Sequence, residues 1–340
     1  MIDHQLTEEQ KMLQTMAREF GAKEIAPLAK EIDQTCDFPS ELIKKLGEHN
    51  FFGLIFPPEY GGIGAGYLSF VIAVEEIARI SALLGMEVWD ITFDGEGINL
   101  FGSEYLKRKY LAPLAEGKII STIGFSEPET GVFAAGITTK AVLDGDYWVL
   151  NGTKRFQTNS PVCDFALIWA RTSERGLSVF VVERENSPGW SNPRIEDVLG
   201  RRGTKTADCV LEDVRVPKEN LLGEKDRGFP ILLDITARVE SPGIAAESVG
   251  IAQAARALLY SVGRLIDQGI TPRVEAAMAK LFASEVSNRV VTSSMIVHSG
   301  YGFTKDFTIE RLYRDQKLSQ LYGGTVDIQR MIIARGTLRI

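Results

Sequence analysis

At Ile119 the texture of this 340-residue chain changes, and that boundary constrains the fold more than any single motif. Before it, Met12, Leu13, Met16, Phe20, Ile25, Leu28 and Ile32 recur at helical spacing, opened by Thr7 as an N-cap. Further helices are expected from Pro39 to His49, Leu68 to Leu84 and Ser103 to Leu114. After it come short runs rich in Ile, Val, Phe and Trp, at 119–125, 137–143, 147–150, 155–158, 165–170 and 177–182. Asp144-Gly145 and Asn151-Gly152 read as the turns between them. From Gly228 the helical period returns and lasts to the end. The fold class is therefore α+β: an N-terminal helical domain over 1–118, a central β-barrel-like domain over 119–225 and a C-terminal helical bundle over 226–340.

Composition narrows the function by exclusion. A net charge of −7, with no long Lys/Arg run, gives no attraction to nucleic acid or an anionic membrane. No apolar run is long enough to span a bilayer. Cys36, Cys163 and Cys209 are few and far apart, and the three histidines are scattered, so neither a disulfide framework nor a metal site is expected. The start has no signal or transit character, and a cytoplasmic setting follows. The glycine run Gly61-Gly62-Ile63-Gly64-Ala65-Gly66 invites a dinucleotide-loop reading, but no strand precedes it, so it is read as a helix–helix connection. Glu75-Glu76 reads as a solvated helix face.

The C-terminal stretch 296–335 is the most informative for function. Gly300/Gly302 and Gly323/Gly324 flank a helical segment carrying Glu310, Arg311 and Arg314. Glycine lets backbone approach a ligand closely, and bare amides at a helix N-terminus suit phosphate or carbonyl oxygens. Two helix caps joined by a solvated, salt-bridged helix would look the same.

The order of the segments decides between these. Glu59-Tyr-Gly-Gly62, Phe101-Gly-Ser-Glu104, Ser126-Glu-Pro128, Leu150-Asn-Gly-Thr-Lys-Arg-Phe-Gln-Thr158, Val214-Arg-Val-Pro217, Gly243-Ile-Ala-Ala and Tyr322-Gly-Gly-Thr325 together resemble the acyl-CoA dehydrogenase family, over some three hundred residues. The resemblance implies an FAD flavoprotein that removes an α proton and a β hydride from an acyl-CoA thioester to give a trans-2-enoyl-CoA. It further implies electron-transfer flavoprotein as acceptor and a homo-oligomer, dimer or tetramer. By position, Ser126, Phe156, Thr158, Gly300, Gly302, Thr325 and Asp327 are expected at the cofactor, and Tyr322, Gly323 and Gly324 at the substrate. Asp327 reads equally as an N-cap for the helix that follows.

Most members of the family carry the catalytic base directly after the tyrosine, where this chain has Gly323. A minority, resembling the isovaleryl and long-chain enzymes, place it on the helix after the β domain. Anchoring on Gly243-Ile-Ala-Ala puts Glu240 there; anchoring on Gly228-Phe229 shifts the match by one residue, so the segment contains an insertion. Glu247 is the structural alternative, and Ser241 stands where relatives have Arg. Val132 and Ile296 replace polar residues usual near the flavin. The chain also runs from Gly250-Ile-Ala-Gln-Ala-Ala straight into Arg256, where relatives have an Arg-x-x-Phe-Gly loop that reaches FAD phosphate. Two readings stay open: a dehydrogenase using Glu240, or a family-derived, non-redox acyl-CoA-binding or interaction protein with impaired FAD binding.

Overall fold

The computed structural model describes residues 6–131, 133–244, 246–247, 250, 262, 272–318, 320–321 and 325–338. They form two compact units, Met1–Glu247 and Ser248–Ile340.

The first unit opens with α1 (Glu8–Phe20), capped as expected by Thr7, whose Oγ1 accepts from the Gln10 amide while Gln10 reaches back to the Thr7 amide. A π-turn over Gly21–Ile25 leads into α2 (Ala26–Thr35), and α3 (Ser40–Glu48) follows. The glycine run is a connection into α4 (Gly66–Ala78). The expected helix 68–84 is interrupted: Ser81 takes extended backbone, caps Leu84 and starts α5 (Ala82–Phe101). α6 (Glu104–Ala115) completes the helical part.

α5 is the axis of this unit. Every residue from Leu83 to Ile98 is buried, so no single apolar stripe marks it and no 3.6-residue period betrays it in the sequence. Its glycines admit neighbours closely: a Cβ on Gly95 would lie 2.2 Å from the Phe56 ring, and one on Gly85 2.6 Å from Ala78 Cβ. The solvated-face reading of Glu75-Glu76 is corrected for Glu76. It is fully buried, held by Arg18 Nη2 at 2.7 Å and Arg79 Nε at 3.2 Å.

Among the described residues the strands are β1 (Ser121–Gly124), β2 (Lys140–Asp144), β3 (Tyr147–Gln157), β4 (Phe165–Arg171), β5 (Leu177–Glu183), β6 (Trp190–Ser191), β7 (Ala207–Pro217) and β8 (Leu221–Leu222). They form one sheet in the order β6-β7-β3-β2-β4-β5-β8, with β1 parallel to β4. Asp144-Gly145 is the hairpin turn into β3. Asn151-Gly152 is not a turn but an irregularity inside β3, which runs on through both expected runs. Gly152 presses on Thr139, where a Cβ would lie 2.4 Å from Oγ1, and Asn151 ties to Asp213 across the ladder. One face of β4 and β5 joins the helical core through Phe165, Leu167, Trp169, Val179 and Val181; the other packs Trp148, Ile168, Phe180 and Val216. α7 (Gly228–Ile235) passes into a π-turn over Thr236–Glu240.

In the second unit α8 (Arg273–Gly302) packs with α9 (Thr308–Leu318) and α10 (Val326–Leu338). α8 kinks at Ser299, at φ 51° and ψ −136°. Among the described residues no helix is long and apolar enough to cross a membrane, and no group of His, Cys, Asp or Glu could hold a metal ion.

Candidate active site

The end of β3 and the loop after β1 build a platform. Between Lys154 and Gln157 the β3–β7 register slips, and Phe156 takes a left-handed φ of 56°. That bulge turns its ring outward, 61% exposed, with the Arg155 guanidinium 4.9 Å from the ring centre. The Arg155 amide donates to the Ser126 carbonyl at 2.8 Å, which brings Ser126 beside the bulge. The Thr122 hydroxyl donates to the Thr158 carbonyl. Ser126 and Thr158 are half-buried, and neither hydroxyl has a partner among the described residues.

A buried ion pair fixes this loop. Lys154 Nζ meets Glu127 Oε1 at 2.8 Å, with both side chains almost wholly buried. Glu127 Oε2 also accepts from the Thr138 amide at 2.6 Å and its hydroxyl at 2.7 Å, and Oε1 from the Thr139 amide at 2.9 Å. Burial alone would raise the Glu127 pKa, but Lys154 and these donors outweigh it and hold it at about 2. Burial pulls Lys154 down to about 8, against the attraction of Glu127.

Glu240 closes the π-turn over 236–240. It is half-buried, and Thr236 Oγ1 donates to its Oε2 at 2.7 Å. A π-turn accommodates one residue more than an α-turn. This one lies between Gly228-Phe229 and Gly243. Glu247 is fully tied: Trp89 Nε1 donates to Oε2 at 3.0 Å and Arg201 Nη2 to Oε1 at 2.6 Å. That partnering makes it a structural carboxylate.

The sequence did not reveal the acidic row on α5. Glu87, Asp90 and Asp94 follow one another at i, i+3 and i+7 along one face of buried α5. Asn159 Nδ2 donates to both Glu87 oxygens, at 2.9 and 2.7 Å. Asp90 Oδ2 and both Asp94 oxygens have no partner. Burial pushes Glu87 up to about 8. Burial, then the negative charge of Glu240, pushes Asp90 up to about 7, with Arg201 opposing. Burial also holds Asp94 well above the carboxylate range. The helical spacing of three acids was the available signal, but α5 itself was not recognised.

Comparison with known proteins gives the family. The description "Acyl-CoA dehydrogenase" fits in three parts: N-terminal domain over residues 7–118, middle domain over 122–214 and C-terminal domain over 245–338. The chain belongs to the acyl-CoA dehydrogenase family. It is 36% identical to the short-chain specific acyl-CoA dehydrogenase of Clostridium acetobutylicum, covering 98% of this chain and 99% of that one. It is 34% identical to the caffeyl-CoA reductase-Etf complex subunit CarC of Acetobacterium woodii, covering 96% and 98%. Among solved structures it resembles an acyl-CoA dehydrogenase complexed with FAD from Bacillus anthracis, with TM-score 0.73, 28% identity, and 100% of this chain and 69% of that one covered. The Clostridium alignment runs over 376 positions, more than the 340 residues here, so that relative carries residues without a counterpart in this chain.

Within this family a flavin cofactor is expected, and the platform fits one. An exposed aromatic face flanked by two unengaged hydroxyls suits a planar heteroaromatic ring with polar edges. The other residues expected at the cofactor belong to the second unit. Gly302 is buried at the end of α8, where a Cβ would meet the Met295 carbonyl oxygen at 2.7 Å; Gly300 is exposed with open space around it. Thr325 precedes α10 and its carbonyl accepts from the Gln329 amide at 3.0 Å. Asp327 lies inside the first turn of that helix, 2.9 Å from Arg330, so it is not the N-cap. Glu310 and Arg314 pair at 2.9 Å as a helix salt bridge. Val132, Tyr322, Gly323, Gly324 and the join at 255–256 lie outside the described residues.

Proposed function

We propose that this member of the family is an FAD-dependent acyl-CoA dehydrogenase, oxidising a short-chain acyl-CoA thioester to the trans-2-enoyl-CoA. The observation that carries this reading is the outward-turned Phe156 on its bulge, flanked by Ser126 and Thr158, in a chain whose middle segment matches the family's middle domain. Phe156 would lie against the flavin ring, and the two hydroxyls would bind its polar edge. When bound, the flavin supplies the hydride acceptor.

Glu240 is the general base. Gly323 has no side chain to abstract a proton, and Glu240 is half-buried with one oxygen oriented by Thr236. It takes the α proton onto its carboxylate as the β hydride leaves, so no full carbanion need form. Gly300, Gly302, Thr325 and Asp327 serve the cofactor, and Tyr322, Gly323 and Gly324 the substrate thioester. The domains are helical over 1–118, β over 119–225 and helical over 226–340. The electron acceptor is an electron-transfer flavoprotein, as the CarC relative's complex suggests, and the working form is a homo-oligomer.

Reconstitution with FAD followed by anaerobic mixing with butyryl-CoA tests this reading. Bleaching of the visible flavin band supports it. A protein that binds FAD but is not bleached by butyryl-CoA or longer acyl-CoAs contradicts it.

A further inference from the structure

A phenylalanine with an exposed ring and a left-handed φ of 56° sits in a costly backbone region, and its side chain needs a support to hold one direction. Its chain neighbour supplies that support. The Arg155 guanidinium lies over the ring of Phe156, 4.9 Å from the centre. The guanidinium is itself anchored, meeting Glu196 Oε1 at 3.5 Å and Asp208 Oδ2 at 3.9 Å, and both carboxyl groups are largely buried. Arg194 Nε reaches the same Glu196 oxygen at 3.0 Å, so two cations face two carboxylates and their formal charges balance. The segment carrying these acids is fixed in turn, because the Glu196 amide donates to the Thr206 carbonyl at 2.8 Å and the Asp208 amide to the Arg194 carbonyl at 3.0 Å. Through its own amide, Arg155 also donates to the Ser126 carbonyl at 2.8 Å. One residue therefore ties both the loop of Ser126 and the ring of Phe156 to the bulge. With one ring face taken by the guanidinium, the exposed surface of the ring belongs to its edge and its opposite face.

We propose that Arg155 is a positioning residue for the flavin: it clamps one face of the Phe156 ring and so presents the other face, already oriented, to the isoalloxazine. This deepens the proposed function and rests on Phe156 lying against the flavin. Arg155 acts through the ring and not through its charge, which Glu196, Asp208 and Arg194 balance. A planar guanidinium stacks on an aromatic face in a way that an ammonium does not. An exposed ring that turns freely must give up that freedom when a ligand stacks on it. A ring already held gives up less, so the clamp strengthens cofactor binding without touching the cofactor. Strict alternation would put the adjacent residues Arg155 and Phe156 on opposite faces of β3; the slip in register between Lys154 and Gln157 brings them together.

The test uses the full-length protein with Arg155→Gln, Phe156→Leu and the double variant, each checked for folding by thermal unfolding. Glutamine keeps the backbone amide, so the bond to Ser126 stays and only the clamp is removed. The readout is the dissociation constant of FAD, from quenching of flavin fluorescence as the flavin-free protein is titrated. Arg155→Gln should weaken binding about fivefold in the wild-type background and less than about twofold in the Phe156→Leu background. An equal loss in both backgrounds overturns the proposal, because Arg155 would then act through the ion pairs or the fold. An unchanged constant in Arg155→Gln overturns it as well. A second measurement uses flavin-free protein with isotope-labelled arginine. The ring current of Phe156 should hold the Arg155 Nε–H resonance upfield, and Phe156→Leu should release it. A resonance unmoved by Phe156→Leu overturns the clamp, and this arm does not depend on Arg155→Gln folding. A wild type that takes up no FAD yet shows the upfield resonance supports the clamp and contradicts the flavin reading, so the two failures are told apart.

Discussion

Lys154 and Phe156 are two residues apart on β3 and do opposite things, one buried without exposure and one turned outward. Strict strand alternation would put them on the same face. The bulge at 155–156 breaks that alternation, and the Lys154–Glu127 pair clamps the loop of Ser126 to it. Lys154→Met would leave Glu127 buried without its counter-charge. The expected loss in unfolding free energy is about 3–5 kcal/mol, read from urea denaturation at neutral pH, with part recovered by adding Glu127→Gln. An unchanged urea midpoint would show that the threonine donors suffice. Phe156 was legible in the sequence only through its motif neighbours. Its positive φ, which makes it available, has no signature in a phenylalanine.

At the scale of elements, α5 decides the pH behaviour. Glu87 and Asp90 keep protons in the folded state up to about 8 and about 7, whereas in the unfolded chain they lose them near about 4. Between these values the folded state binds more protons, so their contribution is fully present below about pH 4 and is lost as pH rises toward 8. The melting temperature should fall across that window, and Glu87→Gln should flatten the fall. A melting temperature that rises with pH to the same extent in both proteins would contradict it. The helices with one apolar stripe, and the strands, were readable because their burial is one-sided. α5 was not, since burial on all faces erases the period, and β7 was missed although its alternating burial is clear in the fold. Glu240 could be proposed only by anchoring on flanking motifs, and a π-turn lies between those anchors.

For the whole molecule, what matters is cofactor retention in a chain that lacks residues the Clostridium relative carries. Ile296 is 72% exposed and offers no amide, and the chain lacks residues that its relatives carry. Each lost charge-assisted phosphate contact is worth about 1.5–3 kcal/mol. FAD should therefore dissociate during dialysis, and stoichiometric flavin surviving gel filtration would show that other residues have taken over. The most direct measurement is anaerobic stopped-flow bleaching of the FAD-loaded protein by butyryl-CoA, wild type against Glu240→Gln. Glutamine keeps the shape and hydrogen-bonding capacity of Glu240 while removing its basic form. A positioned general base contributes roughly 10²–10⁴-fold. With Glu240 as base, the variant should lose at least about a hundredfold in rate while flavin content and acyl-CoA affinity hold; an unchanged bleaching rate would contradict that role.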